Sequence, residues 1–422
     1  MTRALLANPG ALRHELERAL PARQFTIRFW DGSELPETAT SNGDGAGPTF
    51  TVRSPAAVAH LLRAPGELGL GRAYVAGELD VDDLDRVIDM IDTFEEPELD
   101  TATRARLMLA GLRACGLMLP PRAPRGELRL RGRSHSRDRD AKAVRHHYDV
   151  SNEFFELFLD ESMTYSCAIF SRGATTLQDA QHAKLDLVCQ KLALREDERV
   201  LDVGCGWGAF VIHAARNYGV RAVGITLSPP QAELARRRIA ESGLSDRVEV
   251  RVADYRDLRG ERYDAIASIG MVEHVGESQI DVYARQLASL LGPDGRLLNH
   301  GIAHLPQEVG YHGDFTQRYV FPDGDPLHLS RVQLALERAG FVTEHVEGFG
   351  QDYYDTLTEW IKRLDENLPR AEQLAGPERL RVWRLYLRSA RNIFKTQFVS
   401  VYQVLAKPVT GKAPSRPIRG WP

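Results

Sequence analysis

The chain has few cysteines and no long apolar run. Cys115, Cys167, Cys189 and Cys205 are its only four cysteines, and none stand in C-x-x-C spacing. That excludes a zinc ribbon, argues against a disulfide framework, and fits a reducing cytoplasm. No stretch approaches the roughly 18 to 20 apolar residues that a membrane-spanning helix needs. Residues 1–23 mix Arg, Glu and Pro among apolar positions, so no secretory h-region is legible. Neither G-x-G-x-x-G nor G-x-x-x-x-G-K-[ST] occurs, which argues against dinucleotide and Walker-type phosphate sites. The net charge of −4 does not suggest a nucleic-acid partner. What is left is ordinary globular composition, with 43% hydrophobic and 27% charged residues among 422. That length suits about two to three domains.

Composition divides the chain into four regions. Residues 1–105 contain strand-like runs at Phe25–Phe29 and Thr49–Val52, a turn-rich stretch from Ser41 to Pro48, and an acidic run from Glu78 to Glu96 that reads as a solvated helix. A small α+β accessory domain is expected there. Residues 106–145 join an apolar segment, Leu107–Leu119, to a linker rich in arginine, from Arg122 to Arg145. An apolar helix with a basic flank suits contact with an anionic membrane surface; a core helix followed by a solvated linker is the plainer reading. Residues 146–410 alternate strand and helix, the pattern of a mostly parallel sheet with crossover helices. Strands are predicted at Arg199–Val203, Arg221–Thr226, Arg247–Val252, Tyr263–Ile269 and Gly295–Ile302, with late runs at Phe341–Val346 and Phe398–Leu405 as an antiparallel edge pair. Helices are predicted at Gly208–Asn217, Pro230–Ser242, Gln279–Leu291 and Ser330–Ala339, with aromatic-rich helices around Tyr353–Leu368 and Glu378–Phe394. Residues 411–422 read as a flexible tail.

The segment Val200-Leu201-Asp202-Val203-Gly204-Cys205-Gly206-Trp207-Gly208 carries the most chemistry. A buried strand breaking at alternate glycines into a helix brings bare backbone and unpaired N–H groups to a ligand. A ribose-binding site usually has an acid at the end of the second strand, but this chain reads Gly224-Ile225-Thr226-Leu227-Ser228 there. Asp254-Tyr255, after the third strand, can bracket an adenine by hydrogen bond and stacking. Taken singly, Asp254 reads as a turn residue, Cys167 as a small buried apolar residue, His300 as a structural histidine and Glu273 as a surface acid. His146 and His147 suggest a metal, but no second ligand pair stands at suitable spacing, so no metal is expected.

Seven segments together resemble the cyclopropane-fatty-acyl-phospholipid synthase and mycolic acid cyclopropane synthase family, which uses S-adenosylmethionine. They are His146–Asn152, Met163–Ala168, Leu201–Gly208, Gly224–Ser228, Asp254–Leu258, Met271–Gly276 and Tyr319–Gly324, in the family's order over about residues 143 to 406. The resemblance implies a Rossmann-like class I methyltransferase fold with a seven-stranded sheet. It implies a cofactor site of Tyr165, Ser166, Asp202, Gly204, Gly206, Gly208, Thr226, Leu227, Ser228, Gln231, Asp254 and Tyr255. It also implies a bicarbonate ion held by Cys167, Glu273, His300, Tyr319 and the backbone of Ile302. Asn299 and Gly301 depart from the family's usual Leu-Leu-His-Thr-Ile.

The activity so implied is methyl transfer to the double bond of an unsaturated phospholipid acyl chain. A carbocation then loses a proton to bicarbonate and closes to a cyclopropane. An isolated alkene is a poor nucleophile, so a sulfonium electrophile and a dry pocket suit this chemistry. A hydride shift in the same intermediate gives a methylene branch instead, with a reductase as partner. Rivals of other classes are a methyltransferase for a polar small molecule and a non-catalytic lipid-binding protein. A homodimer, and a cytoplasmic enzyme on the inner face of the membrane, complete the expectation.

Overall fold

Short strands and turns near the N-terminus, then apolar strands alternating with amphipathic helices, yield two compact units in the computed structural model of the chain. It describes residues 7–39, 46–95, 97–116, 121–130, 132, 134–148, 150–305 and 314–409. One unit comprises Met1–Arg129, Tyr311–Val320 and Leu368–Asn392; the other comprises Leu130–Gly310, Phe321–Asn367 and Ile393–Pro422. The expected tail, 411–422, and residues 117–119 of the apolar segment lie outside the described residues.

The first unit carries β1 (Thr26–Arg28), β2 (Glu34–Leu35), β3 (Thr49–Val52) and β4 (Leu79–Val81) in the order β2-β1-β3-β4. Its core gathers Leu12, Phe29, Leu35, Val58, Leu79 and Ala114. The acidic run from Glu78 is not one helix. Leu79–Val81 pairs with β3, and a helix starts only at Leu84, where the Asp83 carboxylate accepts the N–H groups of Asp85 and Arg86. The helix Thr101–Cys115 buries Ala110, Gly111, Ala114 and Cys115 and leaves Met108, Leu109 and Leu112 exposed. The late helix Pro377–Lys395 contributes buried Trp383 and Leu387 to this unit. Its Arg388 and Arg391 pair with Asp85 at 3.0 and 2.6 Å. Residues 146–410 therefore do not stay in one unit, because this helix finds its apolar and ionic partners beside the N-terminal segment.

The second unit holds a seven-stranded sheet of β5 (Arg199–Val203), β6 (Arg221–Thr226), β7 (Val248–Val252), β8 (Tyr263–Ile269), β9 (Leu291–His304), β10 (Phe341–Gly348) and β11 (Val399–Pro408). Its order is β10-β11-β9-β8-β5-β6-β7. The five strands from β7 to β9 are mutually parallel, and β11 runs antiparallel to both β9 and β10. This is the Rossmann-like class I methyltransferase arrangement. Strand β9 starts earlier than the predicted Gly295, because Leu291 pairs with Tyr263 before an irregularity that absorbs the next residues. The helix before it accordingly ends at Leu290. Apolar layers cover both faces of the sheet, so the carboxyl ends of the parallel strands are the open rim where ligands bind.

Candidate active site

At that rim β5 ends in the glycine loop. Gly204, Gly206 and Gly208 have φ of +87°, +53° and +85°, a region that L side chains rarely enter. Nothing lies within 4 Å of a Cβ built on Gly206, so the loop offers bare backbone to a ligand. Gly208 caps the helix Ala209–Tyr218 from the left-handed conformation and does not line the cavity. Ser228 also stands outside the lining. Its hydroxyl accepts the Gln231 N–H and starts the helix Pro229–Glu241.

The other ten expected cofactor residues line one cavity, of about 140 Å³: Tyr165, Ser166, Asp202, Gly204, Gly206, Thr226, Leu227, Gln231, Asp254 and Tyr255. Thr226 Oγ1 donates to Gln231 Oε1 at 2.7 Å, which fixes the end of β6. The Asp254 carboxylate is gripped by Arg256 through contacts of 2.6 and 2.9 Å; these outweigh its burial and hold it below the usual carboxylate range. Arg256 also reaches Asp140, on the helix Arg137–Tyr148, at 2.9 Å. Tyr255 is buried edge-on against Tyr283, and Tyr165 stacks on Trp360 at 5.1 Å. Asp202 is buried, and its Oδ1 has no partner among the described residues. Burial raises its pKa to about 7, against the pull of Lys184. Bare backbone, an orphaned carboxylate and aromatic walls fit a cofactor that combines a nucleoside with an amino acid.

Beside it, four of the five expected ion-binding groups converge at the ends of β8, β9 and β11. The N–H of Ile302 donates to Glu273 Oε1 at 2.7 Å, and Ile302 pairs with Val401. The Val401 carbonyl accepts the Phe349 N–H, and the Phe349 carbonyl receives the Cys167 thiol at 3.7 Å. Glu273 Oε2 and His300 Nε2 are buried without a partner among the described residues. Burial pushes Glu273 up to about 7. It pulls His300 well down, helped by Lys184 and Lys191, so the imidazole is neutral. Gln403 Nε2 lies 3.1 Å from His300 Nδ1. An amide nitrogen only donates, so Nδ1 accepts and the ring proton stands on the orphaned Nε2. Burial also keeps Cys167 a protonated thiol, unsuited to a covalent role. Two unmatched polar groups, one able to share a proton and one a donor, fit a small oxyanion.

Tyr319 belongs to the other unit. It stacks on Phe315 at 4.8 Å and donates to Glu127, which is paired bidentately with Arg72. Asn299 and Gly301 flank His300 on β9 and so face the opposite side of the sheet. Asn299 accepts the Tyr283 hydroxyl at 2.9 Å, and a Cβ on Gly301 would stand 2.2 Å from Val272. Both departures from the family pattern thus lie on the face of β9 away from His300.

Sequence reasoning missed Lys184 and Gln403. Each left a signal: Lys184 interrupts an apolar helix stripe with Ala180, Leu185 and Val188, and Gln403 interrupts the apolar run of β11.

Residues 135–404 match the family model of mycolic acid cyclopropane synthetase. The chain is 38% identical over 412 residues to a probable fatty acid methyltransferase of Mycobacterium tuberculosis, covering 94% of this chain and 95% of that one. It is 32% identical to the cyclopropane-fatty-acyl-phospholipid synthase of Escherichia coli, with 88% and 91% covered. Among solved structures, a mycolic acid cyclopropane synthase complexed with SAH and CTAB superposes with a TM-score of 0.60 at 35% identity, over 63% of this chain and 97% of that one.

Proposed function

The chain belongs to the mycolic acid cyclopropane synthetase family of S-adenosylmethionine-dependent methyltransferases that modify fatty acyl chains, and from that premise we propose that it forms a cyclopropane on an unsaturated chain of a membrane phospholipid. The observation that carries this reading is the pair of buried, unmatched atoms Glu273 Oε2 and His300 Nε2 beside the cofactor cavity. Bound in these two places, S-adenosylmethionine supplies an electrophilic methyl, and bicarbonate supplies a base for the proton that ring closure releases.

The residues do the rest. His300 presents its Nε2 proton to the oxyanion. Glu273, titrating near neutrality, shares a proton with it, because two bare anions in a dry site repel. Cys167 closes the pocket without competing as a nucleophile. The aromatic cluster of Phe155, Phe158, Tyr165 and Trp360 excludes water and offers ring faces that tolerate developing positive charge. The role that the resemblance gives Tyr319 rests on the resemblance alone.

Access to a phospholipid asks for a surface that meets a bilayer. No helix among the described residues is long and apolar enough to cross a membrane. The helix Thr101–Cys115 instead exposes Met108, Leu109 and Leu112, with Arg104 and Arg113 on either flank of that stripe. This supports a helix lying in the interface with arginines toward the headgroups.

The test is incubation with S-adenosylmethionine and vesicles of a defined unsaturated phospholipid, followed by proton NMR of the extracted lipid. Upfield cyclopropyl signals are expected. Vinylidene signals in their place would establish the methylene branch and overturn the ring.

A further inference from the structure

Gly301 stands inside β9, where it pairs with Tyr402 of β11. Its backbone is not in the left-handed region, so no conformational demand explains a glycine there. Glycine weakens a strand interior and often marks a close approach by another segment. The approaching group is Val272, whose Cγ1 fills the place that a Cβ on Gly301 would need. Val272 is 3% exposed and belongs to the buried cluster that holds Val203, Val275 and Tyr283. It also opens the helical turn Val272–His274, whose next residue is Glu273. Glu273 in turn is gripped by the residue after Gly301, through the Ile302 N–H on its Oε1 at 2.7 Å. Two consecutive residues of the turn, 272 and 273, thus rest on two consecutive residues of the strand, 301 and 302. The first contact is steric and sets how near the turn comes to β9. The second is a hydrogen bond whose length depends on that approach. The turn is fastened on both sides as well, by the Gly270 N–H on the His300 carbonyl at 2.8 Å and by the Glu273 carbonyl, which accepts the Asp325 N–H at 2.9 Å. An atom added at Gly301 therefore acts on the depth of the turn.

We propose that Gly301 is a positioning residue: by lacking a side chain it lets Val272 seat against β9, and that seat fixes the reach of the Glu273 carboxyl into the ion pocket. This rests on the reading that Glu273 shares a proton during the reaction. It is independent of how the cofactor is held and of whether the acyl product is a ring or a branch.

Three variants test it: Gly301→Ala, Val272→Ala, and the two together. In the ligand-free protein, nitrogen-15 NMR of the Ile302 amide reports its bond to Glu273 with no need for activity. Gly301→Ala should shift that resonance. The double variant should bring it back, because the added Cβ then stands at an ordinary 3.6 Å from the Cβ of residue 272. Turnover with S-adenosylmethionine and unsaturated phospholipid vesicles should follow the resonance. In Gly301→Ala kcat should fall by about 10- to 100-fold, the effect of a carboxyl displaced by about an ångström. The lipid KM and the affinity for S-adenosylhomocysteine should change by less than about threefold, since neither Gly301, Val272 nor Glu273 lines the cofactor cavity. Val272→Ala alone should lower kcat by about 3- to 10-fold, and the double variant should return to within about threefold of wild type. An Ile302 resonance that ignores Gly301→Ala would overturn the proposal, because Val272 then turns aside without moving Glu273. So would losses that multiply in the double variant, which mark independent damage to packing. Should Gly301→Ala fail to fold, a folded and active double variant supports the seat and an unfolded one overturns it. A wild type that forms no product, or Glu273→Gln with full activity, would strike the role of Glu273 instead, while the Ile302 resonance still decides the seat.

Discussion

Glu273 and Ile302 are tied by one hydrogen bond, from the main-chain N–H of β9 to carboxyl Oε1 at 2.7 Å. The bond consumes one oxygen and aims the other, Oε2, into a buried space where no described group meets it. A carboxyl held this way keeps its orientation in either protonation state. It can therefore exchange a proton without reorganising the strand end.

Glu273→Gln preserves an acceptor for the Ile302 N–H but removes the exchangeable proton. Product formation should fall by about 10²- to 10⁴-fold, the range for a lost acid–base group. Affinity for S-adenosylhomocysteine should change by less than about threefold, because Glu273 does not line the cofactor cavity. Full activity, with no response to added bicarbonate, would remove Glu273 from the chemistry.

The same variant should change how stability depends on pH. Burial lifts the Glu273 carboxyl to about 7 in the fold, against about 4.5 for a freely solvated glutamate. A raised pKa favours the folded state fully below the unfolded value, and that contribution is lost as pH rises toward the folded one. Relative to their difference at pH 4, Glu273→Gln should gain about 3 kcal/mol over wild type by pH 8, each pKa unit being about 1.4 kcal/mol. Denaturant unfolding of the ligand-free proteins across that range measures it. A flat difference contradicts the raised pKa.

Gln403 is expected to act through His300. Gln403→Leu removes the donor at Nδ1 and lets the ring proton move there, away from the oxyanion. Turnover should drop by about 10- to 100-fold, the usual cost of losing such an orienting partner. Nitrogen-15 NMR should show the His300 tautomer shifting from Nε2–H toward Nδ1–H. An unchanged tautomer alongside lowered turnover would reduce Gln403 to a packing role.

Leu109→Glu combined with Leu112→Glu places two carboxylates on the exposed stripe of Thr101–Cys115. Each apolar side chain buried in a membrane contributes about 1.5 to 3 kcal/mol, so co-sedimentation with anionic vesicles should weaken by at least about tenfold. The affinity for S-adenosylhomocysteine should stay as it was. Vesicle binding that matches wild type would move the membrane contact elsewhere.

Much of the second unit was legible in advance. Its strands read as short apolar runs because parallel strands are buried on both faces, and β5, β6 and β8 match their predicted bounds. The glycine loop was legible because left-handed backbone leaves a glycine signature. Asn299 and Gly301 were harder to judge. Their meaning depends on which face of β9 they occupy and on Tyr283 and Val272, which approach from elsewhere in the chain. The acidic run from Glu78 misled because its charge suggested a solvated helix, while three of its residues complete a sheet. Gln403 and Lys184 were visible only as polar interruptions in apolar patterns, with nothing local to say what they face.

The sequence alone determined the methyl-donor chemistry through its resemblance to the family: the loop from Gly204 to Gly208, whose glycines left-handed backbone dictates, and the Thr226-Leu227-Ser228, Glu273 and His300 segments stand together in the family's order. Tertiary structure alone decided which of those groups are spoken for. Ile302 takes one oxygen of Glu273, Gln403 sets the proton on His300, Arg256 claims Asp254, Ser166 accepts from Lys184, and Asp202 Oδ1 is left unmatched among the described residues. Whether a buried polar atom is satisfied depends on neighbours distant in the chain, and the cost of leaving it unmatched is what turns a residue into a site.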